Sequence, residues 1–164
     1  CHMSLLDIDE RILELAKRAT IVKSPSVDGK ELPEVEIALV EGSVTSDEHL
    51  AEIRHIRKQS RVLVALGDCA VMTNITGMRN YFELEEVMAR AYVDAPADDG
   101  QGSLPDHPAL MRLREKVVPL QELVQVDFVI PGCPPDADTI YYVLSELLND
   151  RHPDLQEAKK LKYG

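Results

Sequence analysis

The chain is 164 residues long, carries a formal net charge of −11 and is 45% hydrophobic but only 4% aromatic, with no tryptophan. That length suits one domain. The acidic balance leaves Lys159, Lys160 and Lys162 as the sole basic cluster, which excludes the basic stripe of a nucleic-acid binder, and no run of about 18 apolar residues is present to cross a bilayer. Three widely spaced cysteines form neither a disulfide framework nor the close pairs of a zinc ribbon. With so few aromatics the core must be Leu, Ile, Val and Ala, a composition that favours helices on a parallel sheet.

Ser4 can cap an opening helix in which Leu5, Leu6, Ile8, Ile12, Leu13, Leu15, Ala16 and Ala19 recur with helical spacing. Ser24-Pro25-Ser26 and Asp28-Gly29 read as a loop. Residues 35–40 form a short aliphatic strand closed by Gly42, and Ser46 opens a second helix with Leu50, Ile53 and Ile56 on one face. Residues 62–66 are the next buried strand, and residues 69–80 read as polar and irregular. A helix over 83–91 would turn Leu84, Val87, Met88 and Ala91 inward. Residues 94–107, rich in Pro, Gly and Asp, predict a loop, and 108–116 a short helix. Residues 127–130 are the last strand, and Asp136 or Asp138 caps a helix running to about Asn149. Pro153 then breaks the chain, so that residues 1–150 make the domain and 151–164 a charged, frayed tail.

This alternation predicts a doubly wound α/β domain with a parallel sheet. Its first visible element is a helix, so a first strand is expected upstream of Cys1, which would place Cys1 at a strand-to-helix turn. Cysteines or carboxylates then follow each strand: Glu41-Gly42-Ser43, Gly67-Asp68-Cys69 and Pro131-Gly132-Cys133-Pro134-Pro135. In a parallel sheet such loops meet at the carboxyl edge, where open α/β folds bind ligands.

Thiolates gathered on a rigid edge suit an iron–sulfur cluster. Gly67 and Gly132 let the backbone bend and approach the inorganic sulfides, helix-start amides could donate to sulfur, and Pro134 stiffens the turn. A lone cysteine is more often a small buried hydrophobe, but Cys69 and Cys133 each follow an aliphatic strand and a glycine in a polar loop. Glu41 ends its strand as the cysteines end theirs; it reads as a solvated carboxylate or as a group approaching the same site. His2 sits beside Cys1. His49 and His55 lie six apart on one helix and do not share a face. Asp98-Asp99 and Glu85-Glu86 read as solvated charge, and Gly67-Asp68 lacks the glycine run and lysine of a phosphate loop.

Cys1-His2-Met3-Ser4-Leu5-Leu6-Asp7, Val40-Glu41-Gly42-Ser43-Val44, Gly67-Asp68-Cys69-Ala70 and Pro131-Gly132-Cys133-Pro134-Pro135 together resemble the small subunit of [NiFe] hydrogenases, most of all the short small subunits of cytoplasmic NAD-reducing, or bidirectional, enzymes. More distantly they resemble the 20 kDa-type cluster subunit of respiratory complex I, although that subunit has adjacent cysteines where this chain has Cys1-His2. The resemblance implies a flavodoxin-like domain holding one [4Fe–4S] cluster through Cys1, Cys69 and Cys133, with Glu41, His2, Gly67, Asp68, Gly132 and Pro134 near it. Its fourth ligand would be a Cys three positions upstream of Cys1; otherwise a residue such as Glu41 ligates or the cluster is incomplete. It further implies partner chains: a large subunit with the nickel–iron centre, and diaphorase-type subunits carrying further iron–sulfur clusters, FMN and NAD. A C-terminal extension with more Cys and His, found in periplasmic members, is not seen. A complex I-like quinone oxidoreductase, a flavin-binding module without iron and a cofactor-free docking subunit are the competing readings.

Overall fold

A computed structural model describes residues 1–27, 29, 31–94 and 102–163; the predicted Asp98-Asp99 charge pair and Asp28 fall outside these. Three parallel strands, β1 (Val35–Glu41), β3 (Ser60–Leu66) and β5 (Phe128–Ile130), lie side by side in the order β1-β3-β5. A separate antiparallel pair joins β2 (Val44–Ser46) to β4 (Leu113–Val118). The helices are α1 (His2–Leu6), α2 (Ile12–Ala16), α3 (Asp47–Gln59), α4 (Asp68–Met72), α5 (Leu84–Tyr92) and α6 (Ala137–Leu147).

The central strand explains why both sheet faces are covered. Successive β side chains point to opposite faces. Val64 and Leu66 pack with Ile8, Ile130, Ile140, Val143 and Leu147 on the α1 and α6 side. Leu63 and Ala65 pack with Val44, Ile53, Ala70, Val71 and Leu120 on the α3 side. A strand buried on both faces must be aliphatic throughout, which is why 62–66 stands out in the sequence. Each fully buried Leu, Ile or Val contributes about 1.5–3 kcal/mol.

Local chemistry sets the helix starts. The Ser46 hydroxyl accepts from the His49 amide at 3.1 Å, and Asp136 accepts from the Thr139 amide at 2.8 Å and its hydroxyl at 2.9 Å. Both are N-caps that satisfy otherwise orphaned donors. Glu83 and Glu86 close a capping box on α5.

Several expectations need correction. The opening segment is not one helix capped by Ser4: Cys1 is the cap, Ser4 is buried inside α1, and a 3-10 turn at Asp9–Arg11, where Asp9 has φ 60°, separates α1 from α2. Residues 69–80 are ordered as α4 and a 3-10 stretch, Asn74–Tyr81, broken apart by the left-handed Thr73 (φ 67°) and Asn74 (φ 46°). Ala91 faces solvent. No helix forms over 108–116: residues 108–110 turn, and 113–116 belong to strand β4. Its Arg, Glu and Lys favour helix weakly, and pairing with β2 overrides them. Residues 154–161 turn back instead of fraying: Leu155 packs against the α6-side core, and Lys162 reaches Asp136 at 3.6 Å.

Asp127 fixes the register of β5. Its amide donates to Leu63 O at 2.9 Å, and its carboxylate accepts from the Leu63 amide at 2.7 Å and from Arg57 at 2.6 Å. Burial opposes the charge, but the Arg57 and Leu63 hydrogen bonds outweigh it and hold the carboxyl below its ordinary value. A depressed carboxyl stabilises the fold fully above its unfolded pKa of about 3.9, and that contribution disappears as pH falls through the folded value. Asp127→Ala is expected to cost about 1–3 kcal/mol at neutral pH by leaving the buried Leu63 amide unsatisfied, and to flatten the loss of stability below about pH 4. Urea midpoints measured across that range check both.

Candidate metal centre

β1, β3 and β5 run parallel, so their carboxyl ends share one edge. Glu41 closes β1, Gly67-Asp68-Cys69 follows β3, and Pro131-Gly132-Cys133 follows β5. Cys1 caps α1, which packs beside α6 on the same side of the sheet as Ile8. All three cysteines are free thiols; Cys1 and Cys69 are half-buried and Cys133 is exposed.

Contacts knit these loops into one wall. Gly67 adopts φ 83°, and a Cβ added to it would run into Cys1 Sγ, so the thiol lies directly on the Cys69 loop. The Gly67 amide donates to Ile130 O at 2.7 Å, the Asp68 amide to Gly132 O at 2.9 Å, and the Gly132 amide to Asp68 Oδ1 at 2.6 Å. Asp68 is buried. Gly132, with φ 130°, has no room for a side chain: its Cβ would meet Pro135 Cα at 2.7 Å. The Glu41 carboxylate accepts from the His2 amide at 2.7 Å, which holds the start of α1 against the end of β1. Glu41 and Pro134 are exposed, and His2 is half-buried.

The structure thus links Cys1, His2, Glu41, Gly67, Asp68 and Gly132 in a chain of contacts: Glu41 to the start of α1, Cys1 to Gly67, and Asp68 to Gly132. One detail departs from expectation. The Gly67, Asp68 and Gly132 amides, candidates to donate to sulfur, are committed to bonds between the loops. His49 lies elsewhere, with Nδ1 3.1 Å from Thr45 Oγ1, and His55 is exposed. Sequence reasoning missed the Asp68–Gly132 bond, because the partners are 64 positions apart and no local pattern links them. Beyond Cys69, Met72, Ile75, Met78, Tyr81 and Phe82 are each exposed, Tyr81 at 86%.

The donor set fits the iron–sulfur group that the resemblance implies. Soft thiols suit iron bound to sulfide, the two glycines leave room for close backbone approach, and the loop-to-loop bonds supply rigidity. Among the described residues no three His, Cys, Asp or Glu side chains converge on a point suited to a single ion. A polynuclear cluster offers a separate iron to each thiolate.

Fold and edge together define a parallel α/β domain of flavodoxin-like type that presents thiols at its strand ends. Comparison with known proteins places it further. The family model described as "NADH ubiquinone oxidoreductase, 20 Kd subunit" matches residues 1–147, and the chain belongs to this family. The chain is 43% identical to the delta subunit of the NAD-reducing hydrogenase HoxS of Cupriavidus necator, over 96% of this chain and 77% of that protein. It is 37% identical to a subunit of the F420-non-reducing hydrogenase vhu of Methanococcus voltae, over 94% of this chain, though it spans only 54% of that relative. A chain from the crystal structure of an NAD+-reducing [NiFe]-hydrogenase in the H2-reduced state superposes with TM-score 0.95 at 37% identity, covering 100% of this chain and 92% of that one. No helix among the described residues is long and apolar enough to cross a membrane.

Proposed function

We propose that this chain is the electron-relay small subunit of a soluble, NAD-linked [NiFe] hydrogenase, cytoplasmic in location, that holds one [4Fe–4S] cluster through Cys1, Cys69 and Cys133. The relay would stand between the nickel–iron site of a large subunit and partner chains carrying further iron–sulfur clusters and FMN, which exchange electrons with NAD. The observation that carries this reading is the knitting of the three cysteine loops along one sheet edge: Cys1 Sγ on Gly67, and Asp68 bonded to Gly132. The likeness to the HoxS delta subunit supports the choice of partners.

When bound, the cluster supplies a one-electron carrier. The residues of this chain hold it in place. Cys1 and Cys69 present half-buried thiols from helix starts, Cys133 presents an exposed one from the β5 loop, and the buried Gly67, Asp68, Gly132 and Pro135 form a stiff floor beneath them. Electron relay asks nothing of an acid or base on this chain. The exposed apolar side chains between Met72 and Phe82 are proposed to dock the large subunit, since exposed apolar surface marks a partner surface.

Iron and acid-labile sulfide analysis of the purified complex, wild type against Cys69→Ser with Cys133→Ser, tests the reading. A difference of about four of each per small subunit is expected; no difference, with flavin bound to this chain, would replace it with the flavin-module reading. The family model's own description favours a second reading, a complex I-like quinone oxidoreductase subunit. Hydrogen-dependent NAD+ reduction supports the first reading, and quinone reduction without hydrogen oxidation supports the second.

A further inference from the structure

We propose that Asp68 is a positioning residue whose buried carboxylate clasps the Cys69 loop to the Cys133 loop and thereby fixes how far apart the two thiols stand. The proposal rests on the reading that these thiols hold a cluster. Asp68 is 3% exposed, and aspartate is almost never so buried unless partnered. Its Oδ1 accepts from the Gly132 amide at 2.6 Å, and its own amide donates to Gly132 O at 2.9 Å. Each partner immediately precedes a proposed ligand, Asp68 before Cys69 and Gly132 before Cys133. A reciprocal pair of bonds joins the two ligand loops at residues 64 apart in sequence.

The chemistry of the acceptor matters. A carboxylate-to-amide bond is shorter and stronger than a neutral one, and burying the charge is costly without such bonds. The neighbouring Gly132, at φ 130°, packs so closely on Pro135 that a Cβ there would meet Pro135 Cα at 2.7 Å. The clasp therefore acts on both loops from beneath, and Asp68 need not touch the metal.

The test uses the assembled hydrogenase carrying Asp68→Ala and Asp68→Asn. Amide exchange at Gly132, the rate of iron loss to a chelator and the EPR signal of the reduced protein are measured together. In Asp68→Ala the Gly132 amide should exchange about tenfold faster, the effect of losing one charge-assisted hydrogen bond. Iron should leave at least about tenfold faster, as when a ligand-orienting partner is removed, and the EPR line shape should change. Asp68→Asn keeps a weaker, neutral acceptor for Gly132 and should fall between wild type and Asp68→Ala in iron retention. If Asp68→Ala does not assemble, Asp68→Ser, whose oxygen sits one bond closer to the backbone, carries the same comparison. Wild-type iron retention and spectrum in the Ala or Ser variant would overturn the clasp, as would equal losses in the Asn and Ala variants. Wild-type complex whose iron content is the same as that of the Cys69→Ser, Cys133→Ser complex would overturn the proposed function itself, and the clasp's role with it; iron that depends on these cysteines but is unaffected in the Asp68 variants overturns the clasp alone.

Discussion

Serine at Cys69 and Cys133 is expected to abolish hydrogen-dependent NAD+ reduction, by more than the roughly 10- to 100-fold typical of losing a ligand's outer partner. Iron and labile sulfide should fall with it. A serine hydroxyl is a hard donor that stays protonated near neutral pH, whereas the cluster binds soft thiolate. The fold should survive, because neither residue belongs to the buried aliphatic core: Cys133 is exposed and Cys69 half-buried. Cys1 is a poorer subject, since it packs against the Ile8–Ile140 cluster and its replacement would mix packing with ligation. Thermal unfolding within a few degrees of wild type, together with lost iron, is the expected pair of readings. Unchanged activity in the double variant would leave these thiols without a redox role.

Alanine at Gly67 is expected to be nearly as damaging, through geometry alone. Gly67 has φ 83° and ψ 159°, a backbone conformation that is essentially glycine's own, and forcing an L residue into it costs about 1–3 kcal/mol. The added Cβ would also collide with Cys1 Sγ and approach Gly132 O at 3.4 Å and Pro135 Cδ at 3.6 Å. One methyl group would thus push on the Cys1 thiol, while resting in ordinary contact with the loop around Cys133. Gly42 supplies the control. It has nearly the same φ, 82°, but nothing stands within 4 Å of its Cβ position. Gly42→Ala should lose stability through strain and keep its iron. Gly67→Ala should lose both. Denaturation midpoints and iron content of the two variants separate strain from displacement, and equal iron content would show that Cys1 tolerates the intrusion.

The three parallel strands, the caps at Ser46 and Asp136, and the loops carrying Cys69 and Cys133 were legible because each is written within a few adjacent residues. The Leu63–Leu66 run is aliphatic at every position since both faces are covered. The hairpin-like pair of β2 and β4 was not legible. Val44–Ser46 is too short to show a period, and Leu113–Val118 carries Arg114, Glu115 and Lys116 in succession, which puts charge on both faces and hides the strand alternation. The break at Thr73 and Asn74 was also hidden, because left-handed φ at non-glycine residues leaves little trace in sequence.

The amino-acid order by itself determined the parallel α/β class and put a thiol or carboxylate at the end of each buried strand, since hydrophobic period and turn chemistry act over short stretches of chain. Only the folded molecule decided which of those groups touch. Cys1 lies on Gly67, Asp68 reaches Gly132, and Glu41 holds the start of α1. These contacts join residues 39 to 66 positions apart in the chain, counted from Cys1 to Gly67 and from His2 to Glu41. They arise from strand order and register, which burial on both faces of β3 enforces and no local pattern encodes.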